Sequence, residues 1–129
     1  MDELATLPHT RLVARSSLYR SAPFEAQGPD FINAVVELRT GLAPLALLAE
    51  LQRLEAEAGR ERPYRNAPRT LDLDLLRHGD TTMQTAVLTL PHPRIDQRAF
   101  VLLPLAEIAP ALVTAAQLER VAGQRIDRL

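Results

Sequence analysis

The residues best suited to chemistry lie in the run RTLDLDL at positions 69–75. Apolar and polar residues alternate here, so an extended strand would place Asp72 and Asp74 on one face and the leucines on the other. Two carboxylates about 7 Å apart on one strand face can hold Mg²⁺, which prefers one or two carboxylates together with phosphate oxygens. A half-exposed strand with a solvated acidic face would produce the same pattern, and the motif alone leaves both interpretations open.

An arginine cluster precedes this acidic run. Residues 60–69, RERPYRNAPR, contain Arg60, Arg62, Arg65 and Arg69. All fifteen cations of the chain are arginine, which excludes the lysine-containing phosphate loop G-x-x-x-x-G-K-[ST]. Arginine forms forked, charge-assisted hydrogen bonds with phosphate. Because the segment has no apolar periodicity, we expect an exposed, mobile loop that could close over a triphosphate; a solvated charge run is the alternative.

Two single residues near these motifs carry weaker signals. Glu55 lies on the predicted helix before the arginine loop, where a solvent-facing glutamate is the simpler interpretation. His92 is held between two prolines in an extended turn, and Arg94 and Arg98 follow it. The histidine could contact phosphate or cap a turn, and the sequence leaves both roles open.

A flat heterocycle could bind near the first predicted strands. Phe24 and Phe31 flank a proline-containing loop, and Asn33 follows them. Aromatic faces stack on a planar ring, while a single amide can hydrogen-bond to its edge. Burial of both phenylalanines in the core is the alternative, and it is the usual environment of this residue type.

Periodicity predicts the elements that would position these residues. Leucines recur at helical spacing after Pro44, which suits a first helical turn, and Gly59 marks the helix end near residue 58. Strands are predicted at 10–20 and 31–39, as an antiparallel pair, and at 70–76. Shorter elements are predicted as a helix end at 2–7, an extended piece at 87–90, and helices at 97–108, interrupted by Pro104, and at 115–122. This order predicts an α+β fold with helices on one face of a mainly antiparallel sheet.

Composition predicts one ordinary globular domain over residues 1–129, with 47% hydrophobic and 24% charged residues. The chain has no cysteine, which excludes disulfides and thiolate metal sites and favours the cytoplasm. No apolar run approaches the roughly 18 residues of a membrane helix. A net charge of −1 indicates no nucleic-acid partner. The oligomeric state is left open, a monomer included.

Several short runs are specific when taken together: SLYRSAP at 17–23, DFIN at 30–33, Glu55 followed by GR at 59–60, PRTLDLD at 68–74, PHP at 91–93, RAFVL at 98–102 and PLAEIAP at 104–110. From about residue 14 to residue 112, the chain resembles the 6-hydroxymethyl-7,8-dihydropterin pyrophosphokinase family of folate biosynthesis. The resemblance implies a ferredoxin-like α+β fold. It also implies transfer of pyrophosphate from ATP to the hydroxymethyl group of the pterin, with a pair of Mg²⁺ ions and release of AMP.

The resemblance also implies roles for individual residues. Asp72 and Asp74 match the family's metal-binding aspartates and, with Arg60 and Arg69, form the expected catalytic group. The residues implied to contact ATP are Glu55, Arg60, Arg62, Arg69, His92 and Arg98, with Arg65 in the same loop. The residues implied to form the pterin pocket are Ser21, Ala22, Phe24, Phe31, Asn33, Asp72 and Phe100. Phe31 and Phe100 would sandwich the ring, and Asn33 would bond to its edge.

The chain departs from the family pattern at a few positions. Asn66 stands where some members have tryptophan, and Pro93 where some have tyrosine. The family's opening strand and its Gly-Ser/Ala-Asn-Leu-Gly motif are missing, and Met1 falls near the end of the following helix. We therefore expect the natural chain to start upstream of Met1, with the missing strand at the sheet centre. A nucleotide- or pterin-binding module without turnover, or an inactive truncated form, is the alternative function.

Overall fold

The computed structural model describes residues 2–21, 31–59 and 73–129. The chain divides into two compact units, one of Met1–Arg11 with Arg39–His92 and the other of Leu12–Leu38 with Pro93–Leu129. The described strands are β1 (Thr10–Arg15), β2 (Tyr19–Ser21), β3 (Phe31–Asn33), β4 (Val36–Thr40), β5 (Met83–Gln84), β6 (Thr89–Leu90) and β7 (Ile126–Arg128). The described helices are α1 (Pro44–Gly59), α2 (Ala99–Ile108) and α3 (Ala115–Arg120), with short 3-10 helices at Asp2–Thr6, Ile95–Gln97 and Pro110–Leu112.

Helix α1 dominates the described part of the first unit and has nearly the predicted bounds. It begins at Pro44, where the missing N–H costs little because N–H groups of a first turn have no helical partner. It ends at Gly59. Leu47, Leu51 and Leu54 are buried along one face, as their helical spacing predicts.

A short hairpin of β5 and β6 also belongs to the first unit. The strands pair antiparallel, with Met83 opposite Leu90. The Thr85 hydroxyl accepts a hydrogen bond from Leu88 N at 3.0 Å and so closes the turn. Of the predicted extended piece at 87–90, only Thr89–Leu90 forms the second strand of this hairpin, and it leads the chain to His92.

The two long strands predicted at 10–20 and 31–39 are each divided in two, and Ser16 supplies the physical reason. Ser16 N donates to Val35 O at 2.8 Å, but Val35 N donates to the Ser16 hydroxyl at 2.9 Å. A side chain thus replaces a backbone acceptor, which interrupts the ladder between the strands. Strand β1 pairs with β4 before this point, and β2 pairs with β3 after it.

The second unit contains a three-stranded sheet in the order β3-β2-β7. Strands β2 and β3 are antiparallel, which confirms that part of the prediction, with Tyr19 opposite Asn33 and Ser21 opposite Phe31. Strand β7 was not predicted, because three residues are too few to show an alternation. It pairs antiparallel with β2, with Arg128 opposite Tyr19.

Helices α2 and α3 also lie in the second unit. The predicted interruption at Pro104 is wrong, because α2 runs unbroken through this residue. Pro104 has no backbone N–H, so the helix loses one hydrogen bond there. Its ring is almost fully buried, and this packing offsets part of the loss. Helix α3 begins with a capping box in which the Thr114 hydroxyl accepts from Gln117 N and the Gln117 side chain accepts from Thr114 N.

The predicted third strand at 70–76 is wrong over its described part. Residues 73–76 belong to no strand, because they join no ladder with another described strand. The prediction of an α+β fold is confirmed by the antiparallel strand pairs and helices. Over residues 2–21, 31–59 and 73–129, no helix is long and apolar enough to cross a membrane.

Candidate active site

In the first unit, the acidic segment 73–76 is held at both ends by hydrogen bonds. At its start, Leu73 N donates to Glu55 Oε2 at 2.9 Å. At its end, His92 N donates to Leu76 O at 2.8 Å. Glu55 and His92 thus hydrogen-bond to the two ends of the segment that contains Asp74. All three residues are predicted for the nucleotide and metal site. These contacts stand in for the strand ladder that was predicted here.

Asp74 is exposed, and its carboxylate makes no hydrogen bond or ion pair in the described part of the chain. It is therefore open to a ligand. Within residues 2–21, 31–59 and 73–129, no group of three or more histidines, aspartates or glutamates could hold a metal ion. The partner predicted for Asp74, Asp72, lies outside the described residues.

Glu55 has a more specific place than the solvent-facing position that was the simpler expectation. Its side chain is half-buried on α1, one turn before the helix ends at Gly59. The described chain resumes at Leu73, and the Glu55 carboxylate accepts from the amide of that residue. One charge-assisted hydrogen bond therefore joins the chain on the two sides of residues 60–72.

In the second unit, the register of β2 and β3 brings together predicted pterin-pocket residues. Ser21 lies opposite Phe31, and Tyr19 lies opposite Asn33, so these four side chains share one face of the sheet. The Phe31 ring is 55% exposed. The Ser21 hydroxyl is buried and has no hydrogen-bond partner among residues 2–21, 31–59 and 73–129. The exposed Phe31 and the Ser21 hydroxyl make this face of the sheet a candidate ligand surface.

The start of α2 carries two further predicted residues, Arg98 and Phe100. The Arg98 guanidinium lies over the Phe100 ring, 5.3 Å from its centre, in a cation–π contact. Arg98 is the residue before the helix, and its carbonyl accepts from Leu102 N at 3.0 Å. The helix terminus therefore fixes the backbone of both residues.

Several predicted site residues lie outside the described residues: Ala22, Phe24, Arg60, Arg62, Arg65, Arg69 and Asp72. The predicted mobile loop at 60–69 lies outside them as well. Their roles stay predictions.

Sequence reasoning missed Glu107, which lies near the end of α2. Its carboxylate accepts three hydrogen bonds from the segment that leads into β2, two from Ser17 and one from Tyr19. The residue falls inside the PLAEIAP run, but a helical glutamate gives no sign of partners ninety residues away. Only the folded chain shows this contact.

The first unit has an exposed carboxylate and the second unit has a ring-and-hydroxyl surface. Each feature, taken by itself, fits the class of small-molecule phosphotransferases predicted from the motifs. The family model for 7,8-dihydro-6-hydroxymethylpterin-pyrophosphokinase matches residues 1–110. The chain belongs to this family, which confirms the resemblance found in the sequence.

Individual relatives support the same assignment. The chain is 50% identical over 113 residues to a protein of Pseudomonas aeruginosa, covering 87% of this chain and 70% of the relative. It is 49% identical to a protein of Haemophilus influenzae, covering 88% and 71%. It is 41% identical to a protein of Methylorubrum extorquens, covering 98% and 81%. Each relative is named 2-amino-4-hydroxy-6-hydroxymethyldihydropteridine pyrophosphokinase.

Proposed function

We propose that this chain transfers pyrophosphate from ATP to the hydroxymethyl group of 6-hydroxymethyl-7,8-dihydropterin and releases AMP, as a step of folate biosynthesis. Family membership supports the reaction. The observation that carries the substrate side is the buried Ser21 hydroxyl, which has no hydrogen-bond partner in the described part of the chain and lies opposite the exposed Phe31. A flat heterocycle with polar edges would cover the ring and satisfy the hydroxyl together.

The pterin is proposed to bind on the face shared by β2 and β3. Ser21 and Asn33 would hydrogen-bond to the polar edge of the heterocycle, while Phe31 and Phe100 would stack on its two faces. Stacking would also remove the apolar Phe31 ring from water, which stabilises the complex. Ala22 and Phe24 are proposed to complete the pocket.

The nucleotide is proposed to bind beside the acidic segment of the first unit. Asp74, with its open carboxylate, fits Mg²⁺, and Asp72 would hold the ion with it. Bound Mg²⁺ would neutralise charge on the phosphate oxygens. The side chains proposed to contact the phosphates are those of Arg60, Arg62, Arg65, Arg69, His92 and Arg98. Glu55 is proposed to act next to them through the backbone of Leu73.

In the proposed reaction, the pterin hydroxyl oxygen bonds to the β-phosphorus of ATP as the bond from that phosphorus to the α,β-bridging oxygen breaks. AMP leaves with the bridging oxygen, and the hydroxyl proton passes to water. The residues contribute mainly by holding the two substrates in line and by offsetting charge as it develops on the transferring group. The arginines do so without any change of protonation, because guanidinium stays charged at all working pH values. No strong general base is required.

An AMP-release assay with both substrates tests this function, and Phe31→Ala tests the pocket. We expect the wild-type chain to release AMP only when the pterin is present. Phe31→Ala should raise the KM for the pterin at least about tenfold, because a stacking surface is lost, and leave the KM for ATP unchanged.

The control is Ile32→Ala, which removes a side chain 51% exposed on the opposite face of the same strand. It should leave both KM values within about twofold of wild type. Pterin and ATP binding without AMP release would favour the binding-module alternative. An equal effect of the two substitutions would contradict the proposed pocket face.

Glu55→Ala is expected to lower kcat by about tenfold or more, because the loss of a charge-assisted hydrogen bond of about 1.5–3 kcal/mol releases the backbone next to Asp74. Steady-state AMP release and a thermal melt are the measurements. The control is Glu57→Ala on the same helix, whose exposed carboxylate pairs only with Arg53 in the described part of the chain. Equal kcat values for the two variants would show that Glu55 does not organise the segment.

Other expectations remain predictions: a cytoplasmic location, a single functional domain over residues 1–129, and no nucleic-acid or membrane partner.

A further inference from the structure

Glu107 joins the helix that bears Phe100 to the strand that bears Ser21. Its Oε2 atom accepts from Ser17 N at 2.7 Å and from the Ser17 hydroxyl at 3.1 Å. Its Oε1 atom accepts from the Tyr19 hydroxyl at 2.7 Å. Both oxygens are therefore used, and every donor lies in or just before β2. One side chain thus fixes α2 to the beginning of this strand.

The position of Glu107 on α2 connects this contact to the pterin pocket. Phe100 and Glu107 are seven residues apart, so they lie on the same helix face two turns from each other. Tyr19 and Ser21 likewise share one face of β2, and α2 packs on this strand. The hydrogen bonds of Glu107 thereby hold the helix that bears Phe100 against β2.

Electrostatics favour donation to a charged Glu107. The hydrogen bond from the Tyr19 hydroxyl, with those from Ser17, lowers the pKa of the Glu107 carboxyl against the opposing effect of burial. Burial, and then the nearby Glu107, raises the pKa of the Tyr19 hydroxyl. At neutral pH the carboxylate is therefore ionised and the phenol keeps its proton, which is the state that these hydrogen bonds require.

Arg128 adds two further contacts to this network. Arg128 on β7 donates from Nε to the Ser17 hydroxyl at 3.0 Å, and its Nη2 atom lies 3.8 Å from Glu107 Oε2. Arg128 lies outside residues 1–110, the part of the chain that the family model matches. Strand β7, which pairs with β2 on the side away from β3, therefore also stabilises the contact between Glu107 and Ser17.

We propose that Glu107 is a positioning residue for the pterin pocket, because its carboxylate sets the separation between the Phe100 ring on α2 and the Phe31–Ser21 surface of the sheet. The inference rests on the proposed function for the identity of the ligand. Glu107 touches no substrate in this proposal and acts through Phe100. Loss of its hydrogen bonds should weaken pterin binding and leave ATP binding unchanged.

The test uses Glu107→Gln, which keeps the shape of the side chain but offers one acceptor oxygen instead of two. Tyr19→Phe removes only the hydroxyl and serves as a milder second variant. Affinity is measured by fluorescence titration with 6-hydroxymethylpterin at a saturating concentration of a non-hydrolysable ATP analogue. We expect Glu107→Gln to weaken pterin binding about tenfold and Tyr19→Phe about threefold, with nucleotide affinity unchanged.

Glu119→Gln on α3 is the matched control, since Glu119 is exposed and its side chain makes no hydrogen bond or ion pair in the described part of the chain. It should bind pterin like wild type. A thermal melt against pH gives an independent reading of the Glu107 charge. Because the folded-state pKa is depressed, the stabilisation is present at neutral pH and is lost as the pH falls below about 4.5. Wild type should therefore lose thermal stability more steeply there than Glu107→Gln.

A double-mutant cycle with Phe100→Leu separates positioning from a general loss of stability. If Glu107 acts through the ring, Glu107→Gln should have little further effect on pterin affinity once the ring is gone. Full additivity, or equal weakening of pterin and nucleotide binding, would overturn the proposal. Pterin binding by a wild-type chain that releases no AMP would reject the proposed reaction alone. Failure of wild type to bind pterin would reject both.

Discussion

Replacement of Asp74 by asparagine is expected to lower the rate of AMP release by about a thousandfold or more while leaving the fold intact. The carboxylate is exposed and has no partner in the described part of the chain, so its removal breaks no contact seen there. Asparagine keeps the size of the side chain but loses the charge that a hard cation requires. The loss should fall on kcat, because metal-assisted neutralisation matters most when charge develops on the phosphates.

The control for this prediction is Asp80→Asn in the exposed turn of the same unit, which makes the same change of charge. It should retain the wild-type rate. Calorimetric titration with a non-hydrolysable ATP analogue, with and without Mg²⁺, shows whether nucleotide binding still depends on the ion. Far-ultraviolet dichroism reports the fold. An Asp74→Asn chain with normal Mg²⁺-dependent binding and a normal rate would remove Asp74 from the proposed metal site.

The elements that could be predicted are those whose causes are local. The leucine spacing in α1, with Pro44 at its start and Gly59 at its end, determines the helix within sixteen consecutive residues. The antiparallel pairing of β2 with β3 agrees with two predicted strands separated in the sequence by a segment with two prolines and a glycine. Most residues of the candidate site are predicted because a sequence motif contains them, and their roles stay predictions.

The features that could not be predicted depend on contacts between distant parts of the chain. The sequence gives no sign that Ser16 differs from other strand residues. The predicted strands at 10–20 and 31–39 are each divided because Val35 N donates to the Ser16 hydroxyl. The run TLDLDL at 70–75 alternates like a strand, yet a strand also needs a neighbour for its backbone groups. In the sequence, Glu107 has no feature that distinguishes it from other helix residues. Its role becomes visible only through the hydrogen bonds from Ser17 and Tyr19. Hydrophobic periodicity predicts which face of a helix or strand a residue lies on. It does not predict the residue's hydrogen-bond partner.

Replacement of Arg69, in the arginine-containing residues 60–69, is expected to lower kcat by an amount similar to that predicted for Asp74→Asn. Arg69 lies four residues before Leu73, whose amide is held by Glu55, and five residues before Asp74. The proposed metal carboxylate and the proposed phosphate ligand are therefore close in sequence on a chain anchored at Leu73. We expect Arg69→Ala to lower kcat by about a thousandfold, within the range seen when an arginine that stabilises phosphoryl-transfer charge is lost.

Two further variants make the Arg69 prediction specific. Arg69→Lys keeps the charge but loses the forked donor geometry, so its rate should fall between those of wild type and Arg69→Ala. Arg53→Ala removes an exposed arginine that forms hydrogen-bonded ion pairs with Glu50 and Glu57 on α1, and surface pairs of this kind contribute little. Its rate should therefore stay near wild type.

Single-turnover AMP release and pterin affinity, measured on the same samples, distinguish a role in the transition state from a role in binding. Because the charge on the transferring phosphates grows only as the reaction proceeds, the rate should fall far more than the pterin affinity. Comparable losses in both quantities would place Arg69 in ground-state binding. An Arg69→Ala chain as fast as Arg53→Ala would exclude Arg69 from the reaction and leave the remaining arginines of residues 60–69 as the candidates for contact with the transferring group.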